Sequence, residues 1–600
     1  MSADQARGPR ARGAGRRWIS SSRGTILLAA LLLTLLNAFK PLTVDDAAYY
    51  QYASHIAQDP RDPYGFEVFW GERPQPAFEV LAAPLVPYWW AGAIRLFGNR
   101  PVLWKLSLLP FALLLAASLY HLLTRFAPGL ERPLLWLMVL SPVVLPSFNL
   151  MIDVPALALT LASLSLLVGA CEGDGWARAA GAGLLAGLAM QTKQTSITAV
   201  AVLLGYGLIF GRLRLGLLAA AVAGAVFVGW ELLMAVEYGE SHFLHARAVR
   251  AGTLSLTAIG LLGLGFLSLL GGLAAVVVPL GLFALSAPRW LVGGTMLLAS
   301  LGFAAIPFFP AERLPQLHMS PHLDGAPPEQ LVFTALGCGV LAVAIAVFRH
   351  RLVDRAGVGP AKAPAVLARP QEDIWTTRRT DLFLLGWLLV ELLGCYAIWT
   401  FLASRHLFRV ATVLLLACGR AAAARSSRGG DRRLLGWVVA WGVAVGLLFF
   451  GVDLSDSLAR RDAVRRAAQE LTALGADRER ERVWYAGHWG FRFYAESLGM
   501  KPVVPGSSRL EAGDWLLVPE GLSRQHFGIP PGRVRQEAFI ESRSPSPWSS
   551  IPSFYAGPIP LRSQPEAQIV VRVYRVERGF RATGPGAGSG NPKGRREPAP

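Results

Sequence analysis

Apolar residues in this chain fall into runs of membrane-spanning length, separated by short polar turns. The first run, 24–39, is short. Further runs lie at about 100–121, 131–149, 154–171, 178–193, 195–211, 215–236, 257–285, 288–309, 329–348, 381–401, 408–424 and 433–452. The segment 78–97 is also apolar, but Pro84, Pro87, Tyr88, Trp89 and Trp90 suit a helix lying in the membrane interface. With that segment set aside, the pattern predicts thirteen transmembrane helices, a multi-pass α-helical membrane protein.

Turn charges orient the spans. Residues 1–23 hold six arginines and one acid, Asp4, which reads as a disordered cytoplasmic tail. The Arg16-Arg17 pair is better explained as the positive flank of an uncleaved anchor than as an export signal. The 349–380 linker carries seven Lys/Arg against three acids, and the 420–433 loop is again rich in arginine; both are assigned to the cytoplasm. An odd number of spans then puts the C-terminus outside.

Beyond residue 452 the pattern changes. Residues 460–474 read as a charged amphipathic helix ended by Gly475. The stretches V-W-Y-A-G, D-W-L-L-V-P and Q-I-V-V-R-V-Y-R-V read as short strands. The expected organisation is a basic tail over 1–23, a membrane domain over 24–452, a small exoplasmic α/β domain over 453–580, and a disordered Gly/Pro/Arg-rich tail over 581–600.

Composition changes this picture little. The chain is 53% hydrophobic and 16% charged. The net charge of +18 would suit nucleic acid, but its bunching in short turns is the positive-inside pattern instead. Cys171, Cys338, Cys395 and Cys418 all lie in or beside apolar runs, so they suggest no disulfide framework.

Polar groups near membrane depth are costly and need a reason. The richest stretch is 42–76. Thr43 can cap a helix with Asp46 closing an approximate capping box, and Asp45, Tyr49, Tyr52 and Ile56 then share a face. On the predicted topology Asp45, Asp46, Glu72, Arg73, Asp153, Lys193, His242, His245, Arg405 and His406 gather at the exoplasmic face. Carboxylates there suit base catalysis on a hydroxyl, and cations suit a phosphate. Each has a plainer reading. The Asp45-Asp46 pair can serve the helix dipole, and Asp153 can be an N-cap before Pro155. Lys193 can snorkel, Arg405 can be a loop charge, and the histidines can be surface residues. Their agreement on one face is the signal.

Four motifs carry a family resemblance. They are Asp45-Asp46 followed by Tyr49-Tyr50; Glu72-Arg73-Pro74; Asp153-Val154-Pro155; and Gly183-Leu184 through Gly187-Leu188 to Thr192-Lys193. Over residues 24–215 the chain resembles the lipid-phosphate-sugar-dependent glycosyltransferases of the GT-C fold, family 39. That family includes protein O-mannosyltransferases and the lipid A aminoarabinose transferase. Beyond 215 the likeness is architectural, although 487–494 resembles the external domains of bacterial members. The chain departs from the family where Asp46 replaces a glutamate, where Gln75 interrupts a proline pair, and where no glycine follows Lys193.

The resemblance implies a polyprenyl-phosphate sugar donor, a lipid, glycan or protein acceptor, and an inverting displacement in the inner or plasma membrane. Asp45, Asp46 and Asp153 would be the catalytic carboxylates. Arg73, Lys193 and Arg405 would stabilise the leaving phosphate. No cofactor is required, although Glu72 with His242 or His245 has the donor types for zinc. A transporter or flippase for an anionic lipid is the rival class, since it too uses intramembrane charge, but it needs no folded external domain.

Overall fold

The computed structural model describes residues 21–80, 83–173, 175–250, 256–308, 328–354, 374–398, 402–427, 429–476, 481–564 and 569–584. Among these, seven helices are long and apolar enough to cross a membrane: Pro101–Phe126, Asp153–Gly173, Leu213–Tyr238, Arg289–Phe308, Glu329–Val353, Ser404–Ser426 and Arg432–Ala473. Leu262–Gly271 and Ala274–Ala284 are together long and apolar enough for one more, but they are bent by 70° at a short break. Ser22–Ala38 and Gln194–Ile209 are shorter apolar helices. Leu232, Leu233 and Val236 on one span, and Leu297, Leu298 and Leu301 on another, point outward from the helical body. Apolar side chains facing away from the core on membrane-length helices belong in lipid, so the chain is a multi-spanning membrane protein.

Thirteen spans are expected, and among the described residues seven helices, or eight with the bent pair, are long and apolar enough to cross; three of the expected runs also differ in shape. The 131–149 run is α-helical only over Glu131–Val139, after which Pro142 and Pro146 divert it into a 3-10 turn, Leu145–Ser147. The 257–285 run breaks around Gly272. There Gly271 packs so closely that an added Cβ would meet the Phe333 carbonyl oxygen at 1.9 Å. The 433–452 run and the amphipathic segment after it form one 42-residue helix, Arg432–Ala473. No breaker separates them, so the helix passes directly into the C-terminal domain.

Two buried ionic layers hold the bundle. One links Asp381 to Arg351, at 2.9 Å, and to Arg420, at 2.8 Å. The other centres on Glu391, ten residues further along the same Ile374–Ile398 helix, about 15 Å away at 1.5 Å per residue.

The C-terminal domain has a five-stranded sheet in the order Lys501–Pro502, Val483–Tyr485, Trp515–Pro519, Ile569–Val576, Val534–Ser542. The first three strands are parallel and the rest antiparallel. Ala463, Val464, Ala467 and Leu471 of the long helix pack on Tyr485, Leu517, Val571 and Val573. The three expected strands form its centre. The edge strand Val534–Ser542, V-R-Q-E-A-F-I-E-S, lacks a clean alternation and was not expected.

Candidate functional site

Asp153 opens the Asp153–Gly173 helix, and Lys193 caps the end of the next helix, Trp176–Thr192. The two helices form a hairpin, so the start of one meets the end of the other. Lys193 Nζ donates to Asp153 Oδ1 there. The motif glycines set the depth of this helix against its other neighbour, Leu213–Tyr238. A Cβ at Gly183 would stand 2.3 Å from the Ala219 carbonyl oxygen, and one at Gly187 would stand 2.6 Å from Val226 Cβ. Small residues four apart allow that close crossing.

Asp45 precedes the Asp46–Gln58 helix as its N-cap residue and makes no side-chain cap. Its carboxylate instead takes an ion pair from Arg405, on the 3-10 turn Ser404–Leu407. The expected capping box is half formed. Thr43 N–H donates to Asp46 Oδ2 at 2.9 Å, while Thr43 Oγ1 pairs with the Tyr555 hydroxyl at 2.6 Å.

Lys193 and Arg405 line one narrow cleft together with Asp153, Leu157, Thr195, His406, Phe408 and Arg409. Three cations thus surround one small space, Lys193 from one helix end and Arg405 and Arg409 from the Ser404–Ser426 helix, and each is paired with a carboxylate. Arg409 also braces the turn that follows Lys193. Its Nη2 donates to Thr195 O at 2.9 Å, and its Nε donates to Glu391 Oε2 at 2.8 Å. Glu391 is buried and also accepts from Trp387 Nε1 at 3.2 Å and Thr198 Oγ1 at 3.2 Å.

Asp46 turns the other way. It is fully buried, near Lys105 and Lys40. Burial raises its carboxyl to about 6, with Lys105 and the Thr43 N–H pulling in the opposite direction. Below it Lys40 is ion-paired with Asp453 and donates to Pro146 O at 2.6 Å, and Lys105 donates to Lys40 O. This cluster ties the first loop to the long helix and does not line the cleft.

Glu72 and Arg73 sit beyond the cleft. The short strands Glu67–Val68 and Gln75–Pro76 make a hairpin with these two residues at its tip. Glu72 reaches the C-terminal domain, accepting from His526 N–H at 2.8 Å and lying 3.1 Å from His526 Nδ1 and 3.6 Å from His488 Nε2. Burial lowers His488 from its ordinary range, opposed by Glu72. Arg73 is exposed and extends to Gly584, where an added Cβ would be 3.0 Å from Nη2. The expected grouping of Glu72 with His242 and His245 is therefore corrected. Glu72 is engaged by His526 and His488, His242 packs among Tyr64 and Phe78, and His245 pairs with Glu240 at 2.8 Å. Among the described residues no group of three or more His, Cys, Asp or Glu is arranged to hold a metal ion.

Arg409, Glu391, Lys40, Lys105 and Tyr555 are additions from the structure. The first four lie in or beside apolar runs, so the cost of charge at membrane depth was an available signal. Tyr555 is far away in sequence and carried none.

No protein-family model matches the chain, and no curated protein is similar to it. Among solved structures it is similar to the oligosaccharyltransferase AglB from Archaeoglobus fulgidus, in complex with an inhibitory peptide and a dolichol-phosphate. That match has a TM-score of 0.44 and 13% identity, and covers 80% of this chain and 64% of that chain. It is also similar to ArnT from Cupriavidus metallidurans bound to undecaprenyl phosphate, with a TM-score of 0.32 and 16% identity over 84% of this chain and 93% of that one. A third is the arabinosyltransferase EmbB from Mycobacterium smegmatis, with a TM-score of 0.32 and 14% identity over 91% of this chain and 48% of that one. The chain thus spans less than two thirds of the archaeal enzyme's length.

Proposed function

We propose that this protein is a membrane glycosyltransferase of the GT-C type, which moves a sugar from a polyprenyl-phosphate donor to an exoplasmic acceptor hydroxyl or phosphate. The observation that carries the proposal is the cleft bounded by Lys193, Arg405 and Arg409, with Asp153 and Asp45 held on the first two. Three converging cations at the ends of membrane helices suit an anion presented from lipid, and Arg supplies a bidentate fork where Lys supplies a point charge. Three of the four motifs support the same reading: Asp45, Asp153 and Lys193 meet at or beside this cleft, while Glu72-Arg73-Pro74 does not.

In the proposed reaction the donor phosphate takes up contacts to Arg405 and Lys193. Asp45 and Asp153 are then released toward the acceptor. Asp45 orients the acceptor hydroxyl and accepts its proton. The oxygen attacks the anomeric carbon, the bond from that carbon to the phosphate oxygen breaks, and the configuration inverts. Arg405 and Lys193 stabilise the charge that grows on the departing phosphate. Arg409 is held by Glu391 and Thr195 and acts by fixing the turn after Lys193. Arg73 and Asp46 stand away from the cleft and have no part in this step.

The test is to reconstitute the full chain in liposomes with a labelled polyprenyl-phosphate sugar and an envelope extract as acceptor. Release of free polyprenyl phosphate with label in the acceptor supports transfer. Movement of the intact donor across the bilayer without cleavage would establish the transporter reading instead.

A further inference from the structure

The short helix Ile551–Ala556 belongs in sequence to the C-terminal domain, yet it packs away from that domain's sheet. Ile551, Phe554 and Tyr555 are buried in the core of the membrane body. Both ends of this segment are tied to that body. Ser549 Oγ and Ser550 N–H donate to Asp456 Oδ2 at 2.9 and 3.1 Å, and Gly557 N–H donates to Leu402 O at 2.8 Å, just before the turn that holds Arg405.

Tyr555 lies beside the Asp45–Arg405 pair and touches the segments that carry both members. Its hydroxyl is 2.6 Å from Thr43 Oγ1, two residues before Asp45, and its ring centroid is 5.6 Å from the Arg405 guanidinium carbon. A second tyrosine of the same domain grips the adjoining residue, with Leu42 N–H donating to the Tyr494 hydroxyl at 2.8 Å. Gly490 completes the contact, since a Cβ there would meet Leu42 O at 3.0 Å.

We infer that Tyr555 is a positioning residue for the Asp45–Arg405 pair, so that the C-terminal domain braces the phosphate site from behind without lining it. Its ring offers the guanidinium a face without adding a counter-charge, which leaves the arginine cationic toward the cleft. Its hydroxyl fixes the turn from which Asp45 projects. Burial raises the phenol well above its ordinary range, so it remains a neutral hydroxyl at working pH.

This inference rests on the proposed phosphate site, and its test separates the two. Wild type, Tyr555→Phe and Tyr555→Ala, each as the full chain in nanodiscs, are titrated with undecaprenyl phosphate and assayed for sugar transfer. Tyr555→Ala should weaken lipid-phosphate binding about 10-fold by removing the ring from Arg405. Tyr555→Phe should bind within about 2-fold of wild type while kcat falls about 5-fold, because the ring remains and the hydroxyl is lost. If Tyr555→Ala does not fold, this split between binding and kcat in Tyr555→Phe decides. Wild-type binding and turnover in the variants overturn the inference. So does a parallel loss of binding and turnover that tracks lost thermal stability, which would make Tyr555 a packing residue. A wild type that binds the lipid phosphate and shows the Tyr555→Ala effect, but transfers no sugar, removes the proposed reaction and leaves the positioning role standing. A wild type that does not bind the lipid phosphate overturns both.

Discussion

Lys193 and Asp153 are ion-paired across the open end of a helical hairpin, the aspartate beginning one helix and the lysine capping the other. The pair holds the Lys193 ammonium at the cleft. Lys193→Ala should therefore weaken lipid-phosphate binding by about 10- to 100-fold, the range for losing a charged hydrogen bond. Titration of undecaprenyl phosphate against the purified variant measures this. Unchanged affinity would remove Lys193 from the donor site.

Arg409 and Glu391 form a buried pair whose partners are all polar. Removing one member leaves the other charge uncompensated. Arg409→Ala should cost about 3–5 kcal/mol, and the double variant Arg409→Met with Glu391→Gln should cost less than that. Denaturant unfolding of the two proteins compares them. Equal costs would show that the pair is not coupled.

Asp46 makes stability depend on pH. Its carboxyl is raised by burial to about 6 from an ordinary value of 3.8, so the folded state holds the proton more tightly than the unfolded state does. Stability should fall as pH rises from about 4 to about 6, by about 1–3 kcal/mol, and be restored on acidification. Asp46→Asn should flatten that dependence. Thermal midpoints at about pH 3 and about pH 7, below and above that window, measure it. The same slope in both proteins would assign it to other groups.

The proposed orientation places the first loop and the C-terminal domain on the outer face. Glu67 and Glu511 are both exposed, so cysteines introduced there, with Cys338 replaced by serine, should react with an impermeant maleimide in intact cells. Reaction only after permeabilisation would invert the topology.

Much of the cleft could be read from the chain because its parts sit at helix ends. Asp45 follows the first apolar run, Asp153 begins another and Lys193 ends one. The rule that charge near membrane depth needs a partner marks all three. The same rule applies to Glu391 and Arg409, which lie in or beside apolar runs and pair with each other. Asp45 and Asp46 were indistinguishable as neighbours in sequence. One helical step turns Asp45 to Arg405 and Asp46 to the buried lysines, and only packing shows which is which. Donor type says nothing of distance, so the sequence groups Glu72 with His242 and His245 while the fold brings it to His488 and His526. Its partners His488 and His526 come from a domain more than 400 residues later. The Ile551–Ala556 helix is too short to leave a periodic signal, and its contacts are all long-range.

The most direct test of the central claim is sugar transfer from a polyprenyl-phosphate donor by wild type and Asp45→Asn, side by side in one membrane preparation. Asparagine keeps the shape and removes the carboxylate's basicity. The account predicts transfer by the wild type and a fall of about 100-fold or more in the variant, in the range for losing a general base, with undecaprenyl phosphate still bound. Equal turnover by the two proteins would contradict it.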